Sequence, residues 1–229
     1  METKKVCSTE SAYILGIIIL ALGTAMMEKA GFGVSMVTAP AYLLHLKISR
    51  TLPFYTFGTS GYVFQAFLLI LLSLILRKFK PGYLFSFVTA VIFGVTLDLM
   101  ISLLSGLPSE TFIQRALFYA GGVVVCAAGV AFLFHTYITP QAYELFVMEI
   151  SAAYGFDINR VKTVYDCCSC LLGVILSFIF FGFGRFEGVE AGTILCAAVN
   201  GWMIGEISRM LESVFVFRDR LPLRKYFEE

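Results

Sequence analysis

Charge is scarce in this sequence. Its 17 Lys and Arg and 16 Asp and Glu make up 14% of 229 residues, against about 25% in ordinary soluble domains. So few charges cannot coat a soluble fold of this length. The two signs nearly cancel, leaving +1, so there is no basic surface to hold nucleic acid. Histidine is scarcer still: His45 and His135 stand alone, with no HExxH helix, GxSxG elbow or Walker-type nucleotide loop. An enzyme is therefore not expected, nor a pump driven by its own ATP hydrolysis. The six cysteines follow no framework spacing, and Cys167-Cys168-Ser169-Cys170 has no histidine near it in sequence. They read as small hydrophobes, and neither a metal ion nor a cofactor is expected.

Apolar residues are what the chain has instead: 59% of it, with a mean hydropathy of +0.85. Its 23 Phe, 11 Tyr and 1 Trp exclude disorder. A helix crossing the hydrocarbon core needs roughly 20 mostly apolar residues. Six stretches qualify, at 12–29, 56–77, 82–105, 113–135, 158–182 and 188–211. Two shorter pieces, Val34–Leu46 with Pro40 and Tyr137–Tyr154 with Pro140, Glu144 and Glu149, are too short or too polar to face lipid along their length. They read as short helices, either re-entrant or lying in the interface. The expectation is an all-α integral membrane protein with about six transmembrane helices and two short ones, forming a single membrane domain over 1–229. No cleavage site follows the first apolar run, which is retained as a span. Counting Lys and Arg on alternate sides places both termini in the cytoplasm of a cell-membrane protein, by the positive-inside rule.

The order of elements repeats. A long span, a short Pro-bearing helix and two long spans occupy 12–107, and the same order returns over 112–211, leaving 212–229 as a cytoplasmic tail. Leu22-Gly23-Thr24-Ala25 matches Ala128-Gly129-Val130-Ala131, and Ser35-Met36 matches Thr139-Pro140. Gln65 is expected to correspond to Asp166, and Asp98 approximately to Glu206. Three spans per half make the halves insert with opposite topology. Such an inverted 3+3 repeat, with short helices in matching places, points to a transport site at the repeat interface.

Several stretches resemble a known family. Gly31-Phe-Gly-Val-Ser35, Thr56-Phe-Gly-Thr59 and Phe93-Gly-Val-Thr-Leu-Asp98, then Ile138-Thr-Pro140 and Arg160-Val-Lys-Thr-Val-Tyr-Asp166, are similar to the YczE/YitT-like family of bacterial multi-pass membrane proteins. The likeness covers about residues 12–210. It implies a multi-pass bacterial membrane protein and supplies no substrate.

Ionisable groups at membrane depth cost on the order of 2.5–3.5 kcal/mol each on insertion scales, so each is a functional candidate. Asp98 is the sole charge of its run. Asp166 has Lys162 at i−4, and Glu206 has Arg209 at i+3. The starts of the short helices carry a second chemistry, since unpaired N–H groups there suit an anion. The candidate solute site is accordingly Ser35, Thr38, Gln65, Asp98, Thr139, Gln141, Glu144 and Asp166, in a pocket between the halves where both helix starts converge. The sequence reads as a transporter or facilitator of a small polar solute in the lipid bilayer, alone or as a homodimer. Its rivals are the substrate-binding membrane subunit of an ATP-driven importer and a non-transporting scaffold or assembly protein.

Overall fold

The computed structural model describes residues 5–221. Eight helices follow in order: α1 Thr9–Ala30, α2 Ala39–Ile48, α3 Phe57–Leu76, α4 Gly82–Leu104, α5 Phe112–Leu133, α6 Ala142–Tyr154, α7 Ile158–Phe181 and α8 Ala191–Val214. Side-chain caps fix several starts, by accepting from backbone N–H groups that the first turn leaves unpaired. Ser8 caps α1, Thr56 caps α3 and Asp157 caps α7, while Thr111 and Gln114 form a capping box on α5. The short helix α6 stops at Gly155, whose φ of 66° is left-handed and admits the turn into α7. The chain is a helical, multi-pass membrane protein.

Among the described residues, five helices are long and apolar enough to cross a membrane: α1, α3, α4, α5 and the Arg160–Phe181 part of α7. The sixth expected span is α8. Its 24 residues suffice in length, but Asn200, Glu206, Arg209 and Glu212 make it less apolar than the rest. Two strands depart from the all-helical expectation. Lys5–Ser8 (β1) and Phe215–Arg218 (β2) pair in parallel, Lys5 opposite Phe215. Glu10 accepts hydrogen bonds from Tyr137 Oη and from the backbone N–H of Arg220 and Leu221. The start of the expected tail is thus ordered against the start of the chain. Its remainder, 222–229, and Lys4 of the charge count lie outside the described residues.

The central seam joins α1 to α5, the most closely packed pair in the molecule. A methyl group on Gly16 would meet Leu133 Cγ at 2.8 Å, and one on Gly122 would meet Met27 Cγ at 2.8 Å. Likewise one on Gly23 would meet the Cys126 backbone nitrogen at 2.5 Å, and one on Gly129 the Leu20 backbone nitrogen at 2.5 Å. Contacts ascending along α1 descend along α5, so the two helices are antiparallel. Every residue of the second set lies 106 positions after its counterpart in the first. Reciprocal contacts of this kind are what a two-fold axis between equivalent elements produces. The other packing repeats the pattern: α1 lies on α4 as α5 lies on α8, and α2 touches α3 and α7 as α6 touches α7 and α3. One pair departs from it. Gly58 and Gly94 let α3 and α4 approach backbone to backbone, and α7 and α8 have no such seam.

Candidate functional site

Both short helices begin inside the bundle. The chain approaches α6 from the end that holds β1 and β2, and α6 returns there, where Glu149 meets Lys80 at 2.7 Å. Its first residue reaches Gln65, near the middle of α3. Gln65 Oε1 accepts from the Ala142 N–H at 3.0 Å, and Gln65 Nε2 donates to Gln141 Oε1 at 3.1 Å. The carbonyls leading into α6 are held by α4, with Thr89 Oγ1 donating to Thr139 and Ser86 Oγ to Pro140. Tyr13 of α1 bonds the same Thr89 hydroxyl at 2.9 Å. Thr139 Oγ1 is buried and has no partner among the described residues.

The segment leading into α2 is built alike from the opposite end. Ser169 Oγ donates to the Met36 carbonyl at 2.9 Å, 11 residues into α7 and so roughly 16 Å along it at 1.5 Å per residue. Thr193 Oγ1 donates to the Val34 carbonyl at 2.8 Å. Thr193 lies 104 residues after Thr89, the spacing that separates Ser169 from Gln65. Ser169, and not Asp166, therefore stands where Gln65 stands; Asp166 is about one turn nearer the start of α7. Tyr119, the seam counterpart of Tyr13, has a buried hydroxyl without a partner among the described residues. Beside this segment stands Glu190, the N-cap of α8.

The two helix starts do not open onto a common polar pocket. Their amides are occupied: Ser35 O accepts from the Ala39 N–H at 2.9 Å and from Thr38 Oγ1 at 3.0 Å, while Ala142 N–H goes to Gln65. A single apolar cluster, including Val34, Ala39, Phe64, Leu68 and Tyr143, runs from one helix start to the other. An apolar groove of about 700 Å³ runs between α3, α6 and α7, lined by Phe67, Phe146 and Phe156 among others. Most polar groups at the two starts find a protein partner, several of them on helices of the other half.

The acids divide into three situations. Asp98 accepts from Thr56 Oγ1 at 2.6 Å and the Gly58 N–H at 2.8 Å, so it holds the start of α3 at the far end of the bundle. It stands apart from the other candidates. Glu206 pairs with Arg209 at 2.7 Å on the exposed side of α8. Glu144 and Asp166 are different. They lie on α6 and α7 and interact electrostatically, with Lys162 Nζ 3.6 Å from Asp166 Oδ2 and acting on Glu144 as well. Glu144 Oε2 and Asp166 Oδ1 are buried and unpartnered among the described residues.

Of the eight candidates, the structure brings Gln65, Thr139 and Gln141 together at the start of α6, Ser35 and Thr38 at the start of α2, and Glu144 with Asp166 between α6 and α7. Thr89, Thr193 and Ser169, which join each helix start to the opposite half, escape a reading of the sequence alone. Their signal is the 104-residue spacing, which shows only after the segments leading into α2 and α6 are aligned. No curated protein and no solved structure matches the chain. A family model covers residues 7–209, and the chain belongs to that family, a family of unknown function (DUF6198).

Proposed function

We propose that this membrane protein is a transporter or facilitator of a small polar solute, built as an inverted repeat with its site where the halves meet. One observation carries the reading: two half-length helices start inside the bundle from opposite ends, and each start is bonded to a helix of the other half. Half-helices in matching positions of two inverted halves are the recurrent construction of secondary-transporter sites. The reciprocal α1/α5 seam supports the same organisation and gives the halves an axis about which to move. The likeness to the YczE/YitT-like family belongs to this reading and leaves the solute open.

The test has two steps. Purified protein is screened against small polar metabolites by thermal shift, since a ligand of the native state raises apparent stability. Each hit is then loaded into proteoliposomes to measure flux. Flux that falls in a Ser35→Ala, Thr139→Ala double variant, folded as the wild type, is the expected result. Binding without flux across any hit overturns transport in favour of a non-transporting role.

A further inference from the structure

We infer that Glu144 and Asp166 together hold one monovalent cation between α6 and α7. The inference rests on the transport reading above and names what the site carries or couples to. Two carboxylates and one ammonium leave this cluster one positive charge short of neutral. An uncompensated charge in a low-dielectric interior is strongly disfavoured. The deficit is also directional: one oxygen of each acid, Glu144 Oε2 and Asp166 Oδ1, is buried with no partner among the described residues. Lys162 reaches Asp166 through the other oxygen, Oδ2. Each acid thus keeps one oxygen free for something positive.

The other charges of α7, Asp157 and Arg160, lie at its start, nine and six residues before Asp166, where Asp157 accepts from the Arg160 N–H as the helix N-cap. On α6 the next acid, Glu149, is paired with Lys80 and bonded by Tyr83 at the end of the bundle. The other ionisable groups acting on the pair are the Tyr143 and Tyr165 phenols. The α3 helix contributes only Tyr62, bonded to Thr59, and on α2 the His45 ring and Lys47 are engaged at the far end with Tyr55 O and Phe180 O. Asp166 lies one turn from Ser169, which holds the segment leading into α2, so α2 and α6 both abut the cluster. A cation there lies within the second half, beside the Ser169–Met36 contact through which that half meets the first.

The shared chemistry is a single positive charge, and the experiment separates its sources. Melting temperatures of the full chain in detergent are measured at constant ionic strength, first from pH 5 to 8 in choline chloride, then with Na⁺, K⁺ or methylammonium replacing choline at fixed pH. A rise on acidification alone identifies a proton; a rise with one of the added cations at fixed pH identifies that cation. Glu144→Gln and Asp166→Asn should each abolish the rise without lowering the starting melting temperature, because each removes the charge deficit. Lys162→Met should shift the response to lower cation concentration or higher pH. No response in the wild type, or a response unchanged in the Gln and Asn variants, overturns the site. A response without solute flux keeps the site and removes transport.

Discussion

Placing a methyl group on Gly23 or Gly129 tests the seam directly. At both positions the new carbon meets a backbone nitrogen at 2.5 Å, Cys126 in one case and Leu20 in the other. Backbone cannot rotate away as a side chain can, so α1 and α5 must separate. Overpacking of a tight core costs about 1–3 kcal/mol, and a backbone clash belongs at the upper end, ~3 kcal/mol. Alanine's intrinsic helix preference over glycine returns about 1 kcal/mol. The net loss is ~2 kcal/mol, a fall in melting temperature of about 4–8 °C for a chain of this length. Because the two glycines are reciprocal, the two falls should agree. The double variant should lose less than their total, since separation forced by one methyl relieves the other. Gly201→Ala is the control: nothing lies within 4 Å of its added carbon, and it should gain up to about 1 kcal/mol. Thermal unfolding of the wild type and the four variants in one detergent decides the matter. If Gly23→Ala and Gly129→Ala stabilise as Gly201→Ala does, the close antiparallel seam is wrong.

Asp98→Ala removes the acceptor that holds Thr56 and the Gly58 N–H, and should cost about 1.5–3 kcal/mol of stability; the cation response of Glu144 and Asp166 should survive it, measured on the same preparation. Gln65→Leu strands the Ala142 N–H and the Gln141 side chain, a loss of about 1–3 kcal/mol that a melting curve will show. Burial pushes the Tyr137 phenol from 10.0 up to about 12, and the Glu10 carboxylate it donates to adds to the shift. Its raised value means the folded state holds the neutral form. The Tyr137 contribution is therefore full below pH 10 and is lost as pH climbs towards about 12; Tyr137→Phe should flatten that limb of a melting-temperature profile.

The elements are legible because continuous apolar runs and Pro-bearing gaps have one reading in lipid, and α1, α3, α4, α5 and α7 follow them closely. Depth is harder. Val34–Leu46 and Tyr137–Tyr154 admit both a re-entrant and an interfacial placement by composition, and what decides is Gln65 at Ala142 and Ser169 at Met36, contacts between separate halves. Acids are hardest. Asp98, alone in its run, looks like a solute ligand until its partners at Thr56 and Gly58 are known, some 40 residues earlier. Asp166 looks like the counterpart of Gln65 because both are polar at similar depth, yet the residue at the matching 104-residue spacing is the smaller Ser169. The β1/β2 pair leaves no signal, since four-residue strands at the two ends of an apolar chain have no periodicity to read.

Strands so far apart in sequence also meet late in time. Lys5–Ser8 leaves the ribosome about 210 residues before its partner does, an interval on the order of 10–40 s at ordinary elongation rates. Throughout it, the helices can enter the bilayer in order, while Glu10 and the edge of β1 wait for Arg220, Leu221 and β2. Closure of this end therefore has to wait until all the helices between the two strands have been made. A chain interrupted before Phe215 keeps the edge of β1 open and leaves Glu10 without the Arg220 and Leu221 N–H groups.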